Sequence, residues 1–156
     1  MSSGSDKPGV IAPPPILFGA FFVAAVILHW MYRLPIPLSP RAAFWPCVVL
    51  LNLSWPLLLW ATRYMWSAGT HISPLRPATA LVTSGPYRFS RNPLSVSLVL
   101  LYLGLAFQIN SSWPLILFLP LLIVNHYGVI LREERYLEAK FGDTYRNYRA
   151  AVRRWI

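Results

Sequence analysis

The residues best equipped for chemistry fall in two short stretches. One is Gly85-Pro86-Tyr87-Arg88-Phe89-Ser90-Arg91-Asn92-Pro93, a basic and aromatic turn. The other is Arg132-Glu133-Glu134-Arg135, which holds two of the chain's five acidic residues. Residues 92–131, between them, include no Asp, Glu, Lys or Arg. A tyrosine, an amide and guanidinium groups on one side, and a carboxylate pair on the other, supply donors, acceptors and both signs of charge. Polar groups focused at the mouth of an apolar element read as a site.

Long apolar elements must position these groups. The chain has 156 residues, 56% hydrophobic and 12% charged, where a soluble domain carries about 25% charged residues. One domain suits this length. The segments 8–32 and 42–62 also lack Asp, Glu, Lys and Arg, and about 20 apolar residues cross about 30 Å of hydrocarbon. The run 92–131, as one helix at about 1.5 Å per residue, would reach about 60 Å, twice the membrane. It must therefore fold back, and Gln108-Ile109-Asn110-Ser111-Ser112 is its only cluster of polar, turn-favouring residues. The sequence thus predicts an all-α polytopic membrane protein. Its four spans lie at 13–32, 42–63, 93–109 and 112–131, the last two a hairpin, with a loose lead-in at 1–12 and amphipathic cytoplasmic helices over 132–156.

Net charge is +9, and 12 of the 14 basic residues fall on one side of this path, leaving Arg33 and Arg41 opposite. The positive-inside rule places both termini, the 63–91 loop and the site in the cytoplasm, in a bacterial inner membrane. Anionic headgroups account for the same charge, so nucleic acid is not the expected partner. No small-residue cleavage site follows the first apolar run, which argues against a cleaved signal. Cys47 is the single cysteine, which excludes an intramolecular disulfide and suits packing within a span. His29, His71 and His126 are scattered, and no metal is expected. Asn125 and His126 lie inside the apolar run as candidates for a polar lining.

The connection over 63–91 is long, and Trp66, Leu75, Leu81, Val82, Tyr87 and Phe89 predict that it packs. Beyond Leu131, Glu133, Leu137 and Phe141 share a helix face. Gly142 reads as a helix stop and Asp143 as the next N-cap. In the final helix Tyr145, Tyr148, Val152 and Trp155 fall on one side and Arg146, Arg149 and Arg153 on another. That pattern describes a helix in the headgroup region, closing over the site and bringing Tyr145 and Arg149 near the loop.

The string Leu81-Val82-Thr83-Ser84-Gly85-Pro86-Tyr87-Arg88-Phe89-Ser90-Arg91-Asn92-Pro93, followed by Glu133-Glu134, Leu137, Phe141-Gly142, Tyr145 and Tyr148, resembles the isoprenylcysteine carboxyl methyltransferase and phospholipid methyltransferase superfamily. The resemblance covers roughly residues 69–156, and both halves occur in order across a hairpin of the right length. It implies an integral-membrane methyltransferase with S-adenosylmethionine as cofactor and membrane lipids or another lipophilic small molecule as partner. Cofactor contacts would fall on Thr79, Ala80, Leu81, Val82, Tyr87, Asn92, Pro93, Leu94, Ser95 and Glu133. Backbone N–H groups around Gly85 would hold the cofactor carboxylate. An aromatic face would sit against the sulfonium, and a Glu would accept from hydroxyls or amines. Adjacent helix positions point about 100° apart, so one of Glu133 and Glu134 faces the cofactor and the other pairs with Arg or water. Glu134 is the candidate proton acceptor for an amine, and Arg132 a nearby positive charge.

Four positions depart from the pattern. Asn92 stands where many members have His, and Ser95 and Ser97 where Tyr and Gly are frequent. Val129 stands where prenylcysteine enzymes carry an Arg, which points away from prenylcysteine as the acceptor. Two other classes remain open on sequence: a non-catalytic membrane partner derived from the family, and an NADPH-dependent membrane reductase with a similar C-terminal pattern.

Overall fold

A computed structural model describes residues 8–71 and 74–155. The described residues are helical, with no strand. Helix α1 spans Pro14–Met31, α2 Pro40–Ser67, α3 Pro93–Gln108, α4 Trp113–Asn125, α5 Leu131–Phe141 and α6 Asp143–Ala151. A 3-10 turn occupies Gly85–Arg88, and a π-turn at His126–Ile130 joins α4 to α5 in one helical path. The protein is an all-α polytopic membrane protein. Three segments, Pro14–Met31, Pro40–Ser67 and the continuous Trp113–Phe141, are long and apolar enough to cross a bilayer, while α3 is a shorter apolar helix of 16 residues. At about 1.5 Å per residue α3 rises about 24 Å, short of a full crossing.

Local chemistry sets the helix ends. Prolines stand in the first turn of α1 to α4, where the missing N–H costs no helical bond. The Ser39 hydroxyl accepts from Ala42 N at 3.2 Å and caps α2. Helix α2 runs to Ser67, past the expected end at 63. It closes on Gly69 in a left-handed conformation (φ 67°), with Thr70 N donating to Met65 O. The expected turn at 108–112 is observed: Asn110 takes φ 48°, which asparagine tolerates. There Asn110 Oδ1 accepts from Ile36 N, Ser112 N donates to Leu34 O, and Trp113 Nε1 donates to Tyr32 O, stitching the α1–α2 connection to the hairpin.

The core joins α1, α3 and the final span. Tyr102 is edge-on to Phe18 and Phe22 and stacks on Phe118, with Leu98, Leu121 and Val129 around it. Helices α2 and α3 pack directly on each other: the buried Ser54 hydroxyl donates to Ser97 O at 2.9 Å, and Gly104 lets Leu51 approach. Such interhelical hydrogen bonds contribute about 0.6 kcal/mol each in membrane proteins. Cys47 is buried and bonds Gln108 Oε1. Trp30, Leu53, Leu59, Leu119 and Ile123 stay exposed, as an apolar face toward lipid requires.

Several expectations are corrected. Of the lead-in at 1–12, residues 1–7 lie outside the described residues, but residues 9–11 are tied down. Val10 is buried, Ile11 N donates to Gly128 O at 3.1 Å, and Gly9 O accepts from Arg132. In the loop, Tyr87 is buried whereas Leu75 and Phe89 are exposed, and Trp66, also exposed, belongs to α2. Gly142, not Asp143, occupies the junction of α5 and α6, and Asp143 pairs with Arg146 from the first turn. Helix α6 stops at Ala151, so Val152 and Trp155 lie beyond it and not on its aromatic face.

Candidate functional site

The turn at 85–88 is shaped by one close approach. Gly85 has φ 61°, and a Cβ there would lie 2.7 Å from Tyr64 ring atoms of α2. Tyr87 N donates to Ser84 O, and Phe89 N and Ser90 N donate to Pro86 O. These amides are consumed inside the turn, so the expected carboxylate cradle at Gly85 is not formed by them. Across the gap stand α5 and α6. Tyr148 Oη donates to Tyr87 O at 2.7 Å. Residues after α6 then lie along the turn: Arg91 N donates to Arg153 O at 3.0 Å, and Ser90 Oγ and Asn92 Nδ2 reach Arg154 O at 3.3 and 3.4 Å.

Charge closes the same junction. Arg154 donates through Nε and Nη2 to the two oxygens of Glu134, each at 2.9 Å, and Arg91 Nη1 lies 3.0 Å from Glu134 Oε1. Glu134 is buried. Removing one member of a buried pair leaves uncompensated charge, at a cost of about 3–5 kcal/mol. The two chemistry-bearing stretches of the sequence therefore meet.

They enclose a cavity of about 490 Å³. Ala80, Leu81, Val82, Tyr87, Asn92, Pro93, Leu94, Ser95, Glu133 and Glu134 line it. Thr79, Gly85 and Arg132 do not. The Thr79 hydroxyl donates to Gly69 O and its N to Thr70 Oγ1, so Thr79 staples the loop. Gly85 admits the Tyr64 ring. Arg132 is exposed, with Nη1 donating to Gly9 O. Asn125 is buried and His126 begins the π-turn, and neither lines this cavity. Arg149 pairs with Glu138 instead of reaching the loop, whereas Tyr145 does line the cavity. Leu58, Leu59, Thr62 and Met65 of α2 and Pro13–Pro15 at the start of α1 extend the wall toward the apolar spans.

Burial tunes the titrating groups. It pushes the Glu133 carboxyl up to about 7, and the adjacent Glu134 charge adds to the rise. No ion pair engages Glu133 among the described residues. Burial also raises Tyr87, with the Glu133 charge adding to it, and its Oη has no hydrogen-bond partner among the described residues. Burial raises Tyr148 as well.

A family model of phospholipid methyltransferases matches residues 43–144. The chain belongs to this family. The matched region of this phospholipid methyltransferase family member takes in nearly all of α2, beyond the 69–156 stretch carrying the motif resemblance, and stops before Tyr145. An uncharacterized protein from Haemophilus influenzae (strain Rd) is 45% identical over 64 residues, which are 40% of this chain and 97% of that relative. No solved structure matches.

Among the described residues, the arrangement offers one carboxylate outside any ion pair, one phenol without a hydrogen-bond partner and one ion-paired cluster at the polar end of an apolar chamber. Sequence reasoning gave neither Arg91 nor Arg154 a role of its own in the site. Arg91 is in the cavity wall and Arg154 holds Glu134. The position of Arg91 beside Asn92-Pro93, inside the motif, was the signal available. Nothing local marked Arg154.

Proposed function

We propose that the protein moves a methyl group from S-adenosylmethionine to a lipophilic or amphiphilic acceptor bearing a carboxylate, thiol or amine. The observation supporting this is the convergence of the Tyr87 turn and the Glu133-Glu134 helix on one chamber, polar at one end and apolar at the other. The residues present fit the donor. A chamber of this size suits a drug-sized ligand. The Glu133 carboxyl suits the ribose hydroxyls or an amine, and the buried, partnerless Tyr87 phenol is a second polar contact. The donor supplies an electrophilic methyl on a sulfonium. Methyl transfer is an in-line displacement, so the chain's task is alignment: Tyr148 fixes the Tyr87 backbone, and Glu134 fixes Arg91 and the tail.

A carboxylate or thiolate acceptor requires no proton acceptor. An amine does, and Glu134 is poorly placed for it because both its oxygens are already engaged by Arg154 and Oε1 also faces Arg91. Glu133, near 7, takes that role in this reading. The Lys and Arg residues clustered around the loop and tail support a chamber on the cytoplasmic side, and the bacterial relative supports a bacterial inner membrane.

Membranes carrying the protein, incubated with methyl-labelled S-adenosylmethionine, are expected to yield a labelled lipid-extractable product. Glu133→Ala and Tyr87→Ala membranes should not. No labelled product from wild-type membranes would overturn the reading. Binding of the donor without transfer would favour a non-catalytic partner, a reading that the engagement of Asn92 by Arg154 O supports. Retention of NADPH in place of the donor would favour a reductase.

A further inference from the structure

Arg91 has more donors than its neighbours use. Its side chain is 9% exposed and it lines the cavity. Nη1 is 3.0 Å from Glu134 Oε1, yet neither Nη1 nor Nε has a hydrogen-bond partner among the described residues. The reason lies in the tail. Arg154 takes both Glu134 oxygens in a two-pronged pair, at 2.9 Å each, and leaves Arg91 a contact without alignment. A guanidinium carries five donors in a rigid fork that matches carboxylate and phosphate, and buried donors normally find partners. The Tyr145 hydroxyl sits beside the same guanidinium and also lines the cavity.

We propose that Arg91 is the seat of a ligand oxyanion, carboxylate or phosphate, at the polar end of this cavity, and that Arg154 keeps it open by occupying Glu134. The inference rests on reading this cavity as the ligand site. Two ligands carry such a group: the methyl donor, through its carboxylate, and a phospholipid acceptor, through its phosphodiester. In either case one Arg and one ligand anion pair inside a partly dry chamber, where charge-assisted hydrogen bonds are strong.

The test uses full-length protein in a nonionic detergent and measures equilibrium binding of four probes. These are S-adenosylmethionine, its analogue lacking the carboxylate, dihexanoyl-phosphatidylethanolamine, and hexylamine as the phosphate-free amine. Arg91→Gln is expected to weaken one oxyanion-bearing probe at least 10-fold while its oxyanion-free counterpart changes less than about twofold. Which pair responds identifies the source. Arg154→Ala, with a partly exposed side chain and so gentler on the fold, frees Glu134 to align with Arg91. It is expected to weaken the same probe several-fold. The proposal is overturned if Arg91→Gln leaves both oxyanion-bearing probes unchanged, if it weakens a pair equally, or if wild-type protein binds neither anion. Wild-type protein that binds the phospholipid through Arg91 but shows no affinity for S-adenosylmethionine would instead sink the methyl-transfer reading and leave the oxyanion seat standing.

Discussion

Replacing Gly85 by alanine tests how the turn is built. The residue sits at φ 61°, and an added Cβ would lie 2.7 Å from the Cε1 and Cζ atoms of Tyr64 and 2.8 Å from its Cδ1. Two separable costs arise. The left-handed backbone costs a residue with Cβ about 1–2 kcal/mol. Overpacking a tight contact costs about 1–3 kcal/mol, and Tyr64 has limited room because Trp60 packs edge-on at 6.4 Å and in turn touches Phe89. The expected destabilisation is therefore about 2–5 kcal/mol, a fall of roughly 5–15 °C in apparent melting temperature for a chain of this size. A thermal unfolding cycle in detergent with Gly85→Ala, Tyr64→Ala and the double variant separates the two. The double variant should recover the packing part, with a coupling of about 1–3 kcal/mol, and retain the backbone part. A Gly85→Ala protein within about 0.5 kcal/mol of wild type, or a cycle with no coupling, would refute the contact.

Further outcomes are expected. Glu134→Gln leaves Arg91 and Arg154 without their buried anion, and should cost about 3–5 kcal/mol in the same unfolding assay. Arg154→Ala, whose side chain is 32% exposed, should cost clearly less. Tyr148→Phe removes the 2.7 Å bond to Tyr87 O and should cost about 0.5–1.5 kcal/mol, with weaker donor binding but intact helicity by circular dichroism. Glu133 is raised from 4.5 to about 7 on folding. The folded state therefore binds its proton more tightly, and stability should fall as pH rises from 4.5 to 7 and level off above. Glu133→Gln should flatten that slope, and an unchanged pH profile would contradict the burial of this carboxyl.

Much of the architecture was legible in the sequence because the bilayer imposes it. Uncharged runs gave the spans, and Gln108–Ser112 could turn because it alone was polar within its run. The meeting of Tyr87 with the acidic pair was legible only through motif order, since the two stretches lie on different elements. The π-turn left no local trace. His126–Ile130 is helix-compatible by composition, and its Gly128 backbone is approached by Ile11 from far along the chain, to 2.5 Å of where a Cβ would be. A π-turn adds a residue to the helical path and so rotates the downstream residues by about 100°, which periodicity carried across it misses. Arg132 was misplaced for a related reason, since adjacency to the glutamates says nothing about direction. The end of α6 at Ala151 was illegible too. No Gly or Pro marks it, and the departure is made by tertiary bonds from Arg91, Ser90 and Asn92 to the carbonyls of Arg153 and Arg154.

Isothermal calorimetry of S-adenosylmethionine with purified, folded protein in detergent most directly tests whether the two walls make one donor chamber. Saturable binding with a Kd below about 1 mM, lost in both Glu133→Ala and Tyr87→Ala, is the expected result. Heat absent from folded wild-type protein, or binding that survives both substitutions, would contradict it.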